Sequence, residues 1–94
     1  MRIEYSDEAA DALDDYEAND PELYKAADDV LELLENDENN VELRRRMIRP
    51  ANAFVVRLRL APGRKHPYYL FWIPEQQQTV AFVKWVGPGD ESLW

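Results

Sequence analysis

The most regular hydrophobic pattern in the chain predicts a β-hairpin between residues 54 and 73. Its first arm, residues 54–60 (FVVRLRL), has apolar side chains at every second position, namely Phe54, Val56, Leu58 and Leu60. Successive side chains of a strand point to opposite faces, so these four share one face, which we expect to be buried. The second arm, residues 68–73 (YYLFWI), is apolar throughout, which is typical of a central strand or of one covered on both faces. The loop Ala61–Pro67 joins the arms.

The opposite face of the first arm presents two arginines. Arg57 and Arg59 are two positions apart, so their side chains leave the same face about 7 Å from each other at roughly 3.3 Å per residue. Guanidinium groups on a rigid strand are well suited to holding phosphate or carboxylate groups. These two arginines are therefore the first candidates for a functional site.

The N-terminal residues predict a short strand followed by a helix. Residues 1–5 alternate, with Ile3 directed inward. Ser6 is a suitable N-cap because Asp7 and Glu8 then lie in the first helical turn, where carboxylates interact favourably with the helix dipole. We expect this helix to end at about Ala18. Its apolar stripe comprises Ala9, Leu13 and Tyr16, with Ala10 and Ala12 alongside.

A second and more strongly amphipathic helix is predicted from Pro21. Asp20 provides an N-cap, and proline is common at the first helical position. Apolar residues follow at spacings of three and four and form one stripe: Leu23, Ala26, Ala27, Val30, Leu31 and Leu34. The helix is expected to end in the polar run 36–40.

The remaining segments complete an α+β fold. Residues 43–49 have mixed periodicity and indicate either the end of a helix or a short strand, and residues 50–53 indicate a turn. Pro74 is expected to end the second arm, and a polar loop then leads to a third strand at 79–86, which residues 87–89 end. We therefore predict a single domain, 1–94, in which an N-terminal strand and a two-helix hairpin pack on a three- to four-stranded antiparallel sheet.

Composition limits the class of protein. The chain has 94 residues, of which 46% are hydrophobic, and no cysteine. It shows no apolar run near the roughly 20 residues of a membrane span and no signal-peptide pattern, so we expect a cytoplasmic protein without membrane contact. The sequence has no spacing of metal ligands and no glycine-rich phosphate loop, and we expect neither a metal nor a cofactor.

Charge is divided unevenly along the chain. Residues 1–42 hold 16 acidic and 2 basic residues, whereas residues 43–94 hold 3 acidic and 9 basic ones, so charges of -14 and +6 add to the net -8. An acidic helix is most often a solvated surface, and the excess of carboxylates also fits adaptation to a salty cytoplasm. The basic half nevertheless provides a surface that can meet phosphate, because binding depends on local rather than total charge.

The order of elements and four short segments resemble the RelE/ParE superfamily of toxins from type II toxin–antitoxin systems. The segments are YSDEA at 5–9, VRLRL at 56–60, YYLFW at 68–72 and VKWVG at 83–87. The resemblance implies a toxin that inhibits growth, either by cleaving messenger RNA on the ribosome or by poisoning DNA gyrase. It also implies an antitoxin as partner, with a toxin–antitoxin hetero-oligomer or a homodimer as the assembly.

The resemblance also assigns roles to individual residues. Arg57 and Arg59 lie where the ribonuclease branch carries basic residues that hold phosphate. Tyr69 stands where that branch has a further arginine, Pro88-Gly89 stand where it has another, and Trp94 is the nearest match to a tyrosine in its tail. A tryptophan stacks on a base but has no hydroxyl to transfer a proton. Two expected catalytic positions, the arginine replaced by Pro88-Gly89 and the tail tyrosine, are therefore lost, which leaves a non-catalytic protein-binding module as the alternative function.

Candidate residues for chemistry can be grouped by charge. The cations available for binding a nucleic acid or another target are Arg57, Arg59, Arg64, Lys65 and Lys84, and the catalytic candidates are Arg57, Arg59 and Tyr69. RNA cleavage also needs a general acid and a general base. His66 in the loop, Tyr68 and Glu75 have the right chemistry, although a tyrosine in an apolar strand is more often part of a core.

Two further sets of basic residues complete the candidates. Arg44–Arg46 with Arg49 form either a phosphate clamp or pairs with the acidic helices. Lys84 is expected at the rim of the sheet, on one face with Val80, Phe82 and Val86 and with its stem buried.

Overall fold

Five strands form one mixed sheet in a computed structural model, which describes residues 1–48 and 52–89. The strands are β1 (Arg2–Tyr5), β2 (Met47–Ile48), β3 (Ala53–Arg57), β4 (Tyr68–Glu75) and β5 (Val80–Pro88). Their order across the sheet is β1-β5-β4-β3-β2. The pairs β2–β3, β3–β4 and β4–β5 are antiparallel, and β1 is parallel to β5.

Three helices are present among the described residues: α1 (Asp7–Asn19), α2 (Pro21–Asn36) and α3 (Val41–Arg44). The two predicted caps are confirmed, because the Ala9 amide donates to Ser6 Oγ at 3.0 Å and the Leu23 amide donates to Asp20 Oδ1 at 3.3 Å. Helix α1 runs one residue beyond the predicted end. Within the described ranges, none of these helices combines the length and hydrophobicity needed to cross a membrane.

The core lies between one face of the sheet and helices α1 and α2. All six residues of the predicted α2 stripe are buried. From the first hairpin arm, Val56 and Leu58 are buried while Phe54 and Leu60 are partly buried against the same cluster. Trp72 of β4 is fully buried and is the largest side chain in the core. Strand β4 is also central, as its apolar sequence predicts, because two strands lie on each side of it.

The α+β class is confirmed, and the sheet is larger than predicted. The expected antiparallel strands are β2 to β5, but β1 does not stand apart from them. It pairs with the outer edge of β5, with Ile3 opposite Ala81, and so makes a mixed five-stranded sheet. The turn into α1 fixes this pairing, because the Ser6 amide donates to the Val83 carbonyl at 3.0 Å and the Ser6 hydroxyl donates to the Lys84 carbonyl at 2.6 Å.

Strand ends differ from the predictions at proline and glycine. Pro74 does not end β4, which continues to Glu75 and pairs with β5 there. The pairing of β4 with β3 stops at Trp72. Pro74, which has no N–H to donate, therefore lies where β4 is not paired with β3. Strand β3 ends at Arg57, earlier than the predicted arm, although the Leu58 amide still donates to the Tyr68 carbonyl at 2.9 Å. Strand β5 includes the predicted terminator residues 87 and 88.

The ambiguous segment before the hairpin contains both predicted alternatives. Asn40 caps the short helix α3 by accepting a hydrogen bond from the Glu42 amide at 3.0 Å, and β2 begins after a two-residue connection, Arg45 and Arg46. Asn52 lies in a turn with a φ of 53°, a left-handed conformation that asparagine tolerates well. The prediction of a turn is wrong at Ala53, which is buried and begins β3, where it pairs with Ile48. Arg49, residues 50–51 of the predicted turn and the predicted tail 90–94, with Trp94, lie outside the described residues.

Candidate functional site

A groove of about 480 Å³ runs beside β3 where β2 ends. Strand β2 has two residues, and its register covers only Ala53 and Phe54 of β3. The next contact is the hydrogen bond from the Val55 amide to the Arg46 carbonyl, at 2.9 Å. Beyond it the α3–β2 connection and residues 55–60 line the groove. Its lining residues are Glu42, Arg45, Arg46, Val55, Val56, Arg57, Leu58, Arg59 and Leu60.

Four arginines from two segments meet at this groove. Arg57 and Arg59 come from the end of β3 and the residues after it, whereas Arg45 and Arg46 come from the connection between α3 and β2. All four are exposed. Glu42 is the one carboxylate in the lining and forms an ion pair with Arg59, whose side chain remains 80% exposed. Four guanidinium groups against one carboxylate give the groove a local charge opposite in sign to that of the whole chain.

The α3 side of the groove is fixed by contacts to the core. Leu43 is fully buried, and the Trp72 indole N–H donates to its carbonyl at 3.0 Å. Arg44 stacks on two rings of the sheet, with its guanidinium carbon 5.6 Å from the Phe54 centroid and 5.1 Å from the Trp72 centroid. It also donates to Gln78 Oε1 at 3.1 Å. The predicted phosphate clamp is therefore divided, since Arg44 holds the scaffold while Arg45 and Arg46 line the groove.

Arg64 has a different place from the one its predicted role in target binding suggests. Its guanidinium forms a two-point ion pair with Asp20, at 2.8 and 2.9 Å, and reaches Glu22 at 3.4 Å. It also lies 5.8 Å from the Tyr68 ring centroid. The hydrogen bonds from Arg64 lower the pKa of Asp20, and the same bonds raise the pKa of Arg64. Arg64 thus ties the β3–β4 loop to the start of α2.

The other predicted cations and the histidine are dispersed. Lys65 and His66 are exposed in the β3–β4 loop. His66 and Arg57 contribute to a second hollow of about 190 Å³ beside the groove. Lys84 lies away from both, where β5 has one extra residue relative to β4. The prediction that Lys84 shares a face with Val86 is wrong, because this bulge turns Val86 into the core.

The tyrosines occupy both faces of the sheet. Tyr69 lies directly opposite Arg57 in the β3–β4 register and is 1% exposed, so the two catalytic candidates are neighbours, although the tyrosine ring is buried. Tyr68 faces the helices and packs edge-on against Tyr16 at 6.2 Å, which places it in the core. Burial raises the pKa of Tyr16, which donates a hydrogen bond to the Val86 carbonyl at 3.3 Å. Glu75 is exposed at the far end of β4.

Glu42 is the groove residue that sequence reasoning did not single out. It belongs to the acidic part of the sequence, residues 1–42, and looks there like one more solvated carboxylate. The sequence feature that could have identified Glu42 is Asn40, two positions earlier. Asparagine is a good N-cap and so places Glu42 in the first turn of a helix. That short helix then directs Glu42 toward β3, where it meets Arg59.

The groove is equipped to bind anions and to stabilise negative charge. Arginine binds phosphate and carboxylate groups through paired hydrogen bonds, and several arginines around one concavity reinforce each other's field. Among the nine lining residues, Glu42 is the one with a carboxylate, and none is a histidine, tyrosine or lysine. The groove thus supplies cations and one candidate proton acceptor, but its lining includes no ordinary general acid.

Comparisons with known proteins give no match. No protein-family model matches the chain, and no significant similarity is found to curated proteins or to solved structures. The groove and the sequence pattern are therefore the basis for assigning a function.

Proposed function

We propose that the protein is a growth-inhibiting toxin of the RelE/ParE kind that binds RNA through the arginine-lined groove, and that an antitoxin neutralises it by covering this groove. The observation that carries the proposal is the meeting of Arg45, Arg46, Arg57 and Arg59 around one cavity. The element order, a strand and a helical hairpin followed by antiparallel strands, is the order that the resemblance implies.

The position of the groove suits a polyanion despite the acidic total charge. Helices α1 and α2, which carry most of the carboxylates, cover one face of the sheet, whereas the groove lies beside β3, next to its partner strand β2 at the sheet edge. The acidic helices repel a nucleic acid from their own side, and the arginines attract it to the groove. This arrangement orients the target as well as binding it.

RNA cleavage is a second candidate function, and the position of Glu42 favours it. A carboxylate beside guanidinium groups that hold a phosphate can accept the 2′-hydroxyl proton while the arginines stabilise the charge on phosphorus. The lining of the groove includes no evident acid for the leaving 5′-oxygen, so binding without cleavage is the first proposal. Primer extension on RNA from induced cells separates the two, because cleavage gives discrete new 5′ ends that Glu42→Gln abolishes.

A growth experiment tests the main proposal. The protein is induced in a bacterial host beside the double variant Arg57→Ala/Arg59→Ala. The matched control is Arg2→Ala/Lys25→Ala, which removes the same charge from two exposed side chains outside the groove. We expect arrest with the wild type and the control, and normal growth with the groove variant.

Each of the other outcomes of this experiment contradicts part of the proposal. Normal growth with all three proteins argues against a toxin and favours the non-catalytic module, whose partner is then sought by binding. Arrest with all three, at equal protein levels, means that the protein acts through a surface other than the groove.

A further inference from the structure

The face of the sheet opposite the helices carries a group of aromatic side chains. Phe71 of β4 and Trp85 of β5 are directly opposite each other in the register, and Phe82 lies on the same face of β5. All three rings are partly exposed. They line a hollow of about 320 Å³, and Lys84 and Glu8 stand at its edge. We call Phe71 and Trp85 the aromatic platform.

A β-bulge creates this platform. Phe71 pairs with Trp85 and the next residue, Trp72, pairs with Val83, so Lys84 is an extra residue in β5. With regular alternation, Trp85 would share the buried face with Val83. Because of the extra residue, Val83 and Val86 both face the core and Trp85 points to the opposite face. Bulges commonly redirect side chains next to functional sites.

Gly87 determines where the Trp85 ring lies. A Cβ built at Gly87 would stand 2.6 Å from Cζ2 of the indole and 2.9 Å from Cη2, so the ring covers this glycine. The Phe71 ring lies 5.1 Å from the Trp85 ring, centroid to centroid, at an interplanar angle of 52°. Glycine is thus required at position 87 because the indole occupies the space of a side chain.

The platform and the arginine groove are linked across the sheet. Gly87 is opposite Tyr69, and Tyr69 is opposite Arg57. The indole over Gly87 is therefore two strand spacings, about 10 Å, from the backbone of Arg57. Arg57 also lines the groove. A chain bound with one phosphate at Arg57 can thus place a neighbouring base near Trp85.

We propose that the aromatic platform is a stacking site for an unpaired RNA base, next to the phosphate held by Arg57. This inference rests on the proposed function and adds a base-binding subsite to it. Aromatic rings bind bases of single strands by stacking, with affinity changes of about tenfold for one ring. Arg57 lies on one side of the platform, and on the other side Lys84 and Glu8 stand together at the edge of the hollow. An arginine next to exposed aromatic rings favours a single-stranded nucleic acid over an apolar peptide as the occupant.

The test separates stacking from phosphate binding. Affinity is measured by fluorescence anisotropy for a labelled oligouridine and for an abasic ribose-phosphate oligomer of equal length. The proteins are the wild type, Trp85→Ala, Trp85→Phe, Gly87→Ala and the groove variant Arg57→Ala/Arg59→Ala, each checked for folding by circular dichroism. Gly87→Ala keeps the charge of the protein and keeps tryptophan at position 85, but its added methyl group displaces the indole ring.

We expect the wild type to bind oligouridine about tenfold more tightly than the abasic oligomer. Trp85→Ala and Gly87→Ala should abolish this preference and leave the affinity for the abasic oligomer unchanged, whereas Trp85→Phe should retain most of it. Equal affinity of the wild type for both oligomers overturns the stacking site but leaves the groove proposal intact, provided that Arg57→Ala/Arg59→Ala weakens both. Binding of neither oligomer overturns both proposals.

One more outcome concerns a different occupant. If the wild type sediments as a dimer and Trp85→Ala sediments as a monomer, the platform is a contact between two copies of the chain, and the stacking site is overturned.

Discussion

Two groups of arginines in this molecule have different surroundings in the fold. Arg44 and Arg64 are anchored, the first on the Phe54 and Trp72 rings and the second on Asp20. Arg45, Arg46, Arg57 and Arg59 line the groove. The Arg64 side chain is 26% exposed and that of Arg59 is 80% exposed, although each contacts a carboxylate. We call the two groups the anchored arginines and the groove arginines.

The comparison shows that a run of basic residues has no single role. Arg44 and Arg45 are adjacent in the chain, yet one stacks on core aromatic rings and the other lines the groove. An anchored arginine contributes to stability because its partners are fixed and partly shielded from water. A groove arginine contributes little to stability because its side chain is exposed to solvent. Substitutions in the two groups should therefore affect different properties.

The largest expected effect is at Trp72, which supports the α3 side of the groove. Trp72→Phe removes the indole N–H, leaves the buried Leu43 carbonyl without its donor and creates a cavity. We expect the free energy of unfolding to fall by about 2–3 kcal/mol. RNA affinity should fall as well, because α3 carries Glu42 and leads into Arg45. Urea denaturation measures the first effect, and a change within about 0.5 kcal/mol would show that Trp72 does not hold α3.

The adjacent arginines provide a sharper comparison. Arg44→Ala loses two cation–π contacts, and we expect a destabilisation of about 1–2 kcal/mol with little change in RNA affinity. Arg45→Ala should show the reverse, with unchanged stability and weaker RNA binding. Denaturation and anisotropy measurements on both variants check this. The same loss of stability from both substitutions would remove the distinction between anchored and groove arginines.

The ion pair of Arg64 should make a pH-dependent contribution to stability. Because Arg64 lowers the pKa of Asp20 below the 3.8 of an unperturbed aspartate, the pair stabilises the fold fully above that pH. This contribution is lost as the pH falls through the lowered pKa of the folded state. The difference in melting temperature between the wild type and Arg64→Ala should thus be constant near neutral pH and shrink below pH 3.8.

Asp20→Asn is the control for this pH dependence. Asparagine keeps the helix cap of α2 but cannot form the ion pair. We expect this variant to match Arg64→Ala in its loss of stability near neutral pH. A wild-type advantage that persists at low pH would show that packing of Arg64 on Tyr68, rather than the ion pair, provides the stabilisation.

The smallest effect is expected at a solvated pair. Lys25 donates to Asp29 at 3.2 Å within α2, and their side chains are 77% and 60% exposed. Lys25→Ala should change the free energy of unfolding by less than about 0.5 kcal/mol and leave RNA affinity unaltered. Thermal and urea denaturation test this. A loss comparable with that of Arg44→Ala would mean that exposure does not separate the two kinds of contact.

Local signals in the sequence predicted most of the fold. Ser6 and Asp20 are caps because their side chains bond to amides three residues ahead, and the α2 stripe is buried because its spacing matches the helical period. The hairpin followed from alternation in the same way. Pro74 misled the prediction, since a proline ends a strand only where a neighbouring strand needs its N–H.

The candidate site was predicted less completely, because it depends on contacts between distant residues. Arg64 and Asp20 are 44 positions apart, and neither has a sequence feature that identifies its partner. The bulge at Lys84 depends on the register between two strands, and one extra residue reverses every face after it. Arg57 and Arg59 were found because they alternate with apolar residues in one short segment, whereas Glu42 joins them only through the direction of α3.

The salt dependence of RNA binding is the most direct test of the central claim that the groove arginines contact phosphate. Affinity for single-stranded RNA is measured over a range of KCl concentrations for the wild type, Arg57→Ala/Arg59→Ala and the control Arg2→Ala/Lys25→Ala. Loss of two phosphate contacts should reduce the slope of log K against log salt by about 1.4, at about 0.7 per contact. We expect that reduction for the groove variant and none for the control. An unchanged slope in the groove variant, or an equal loss in the control, would contradict the account.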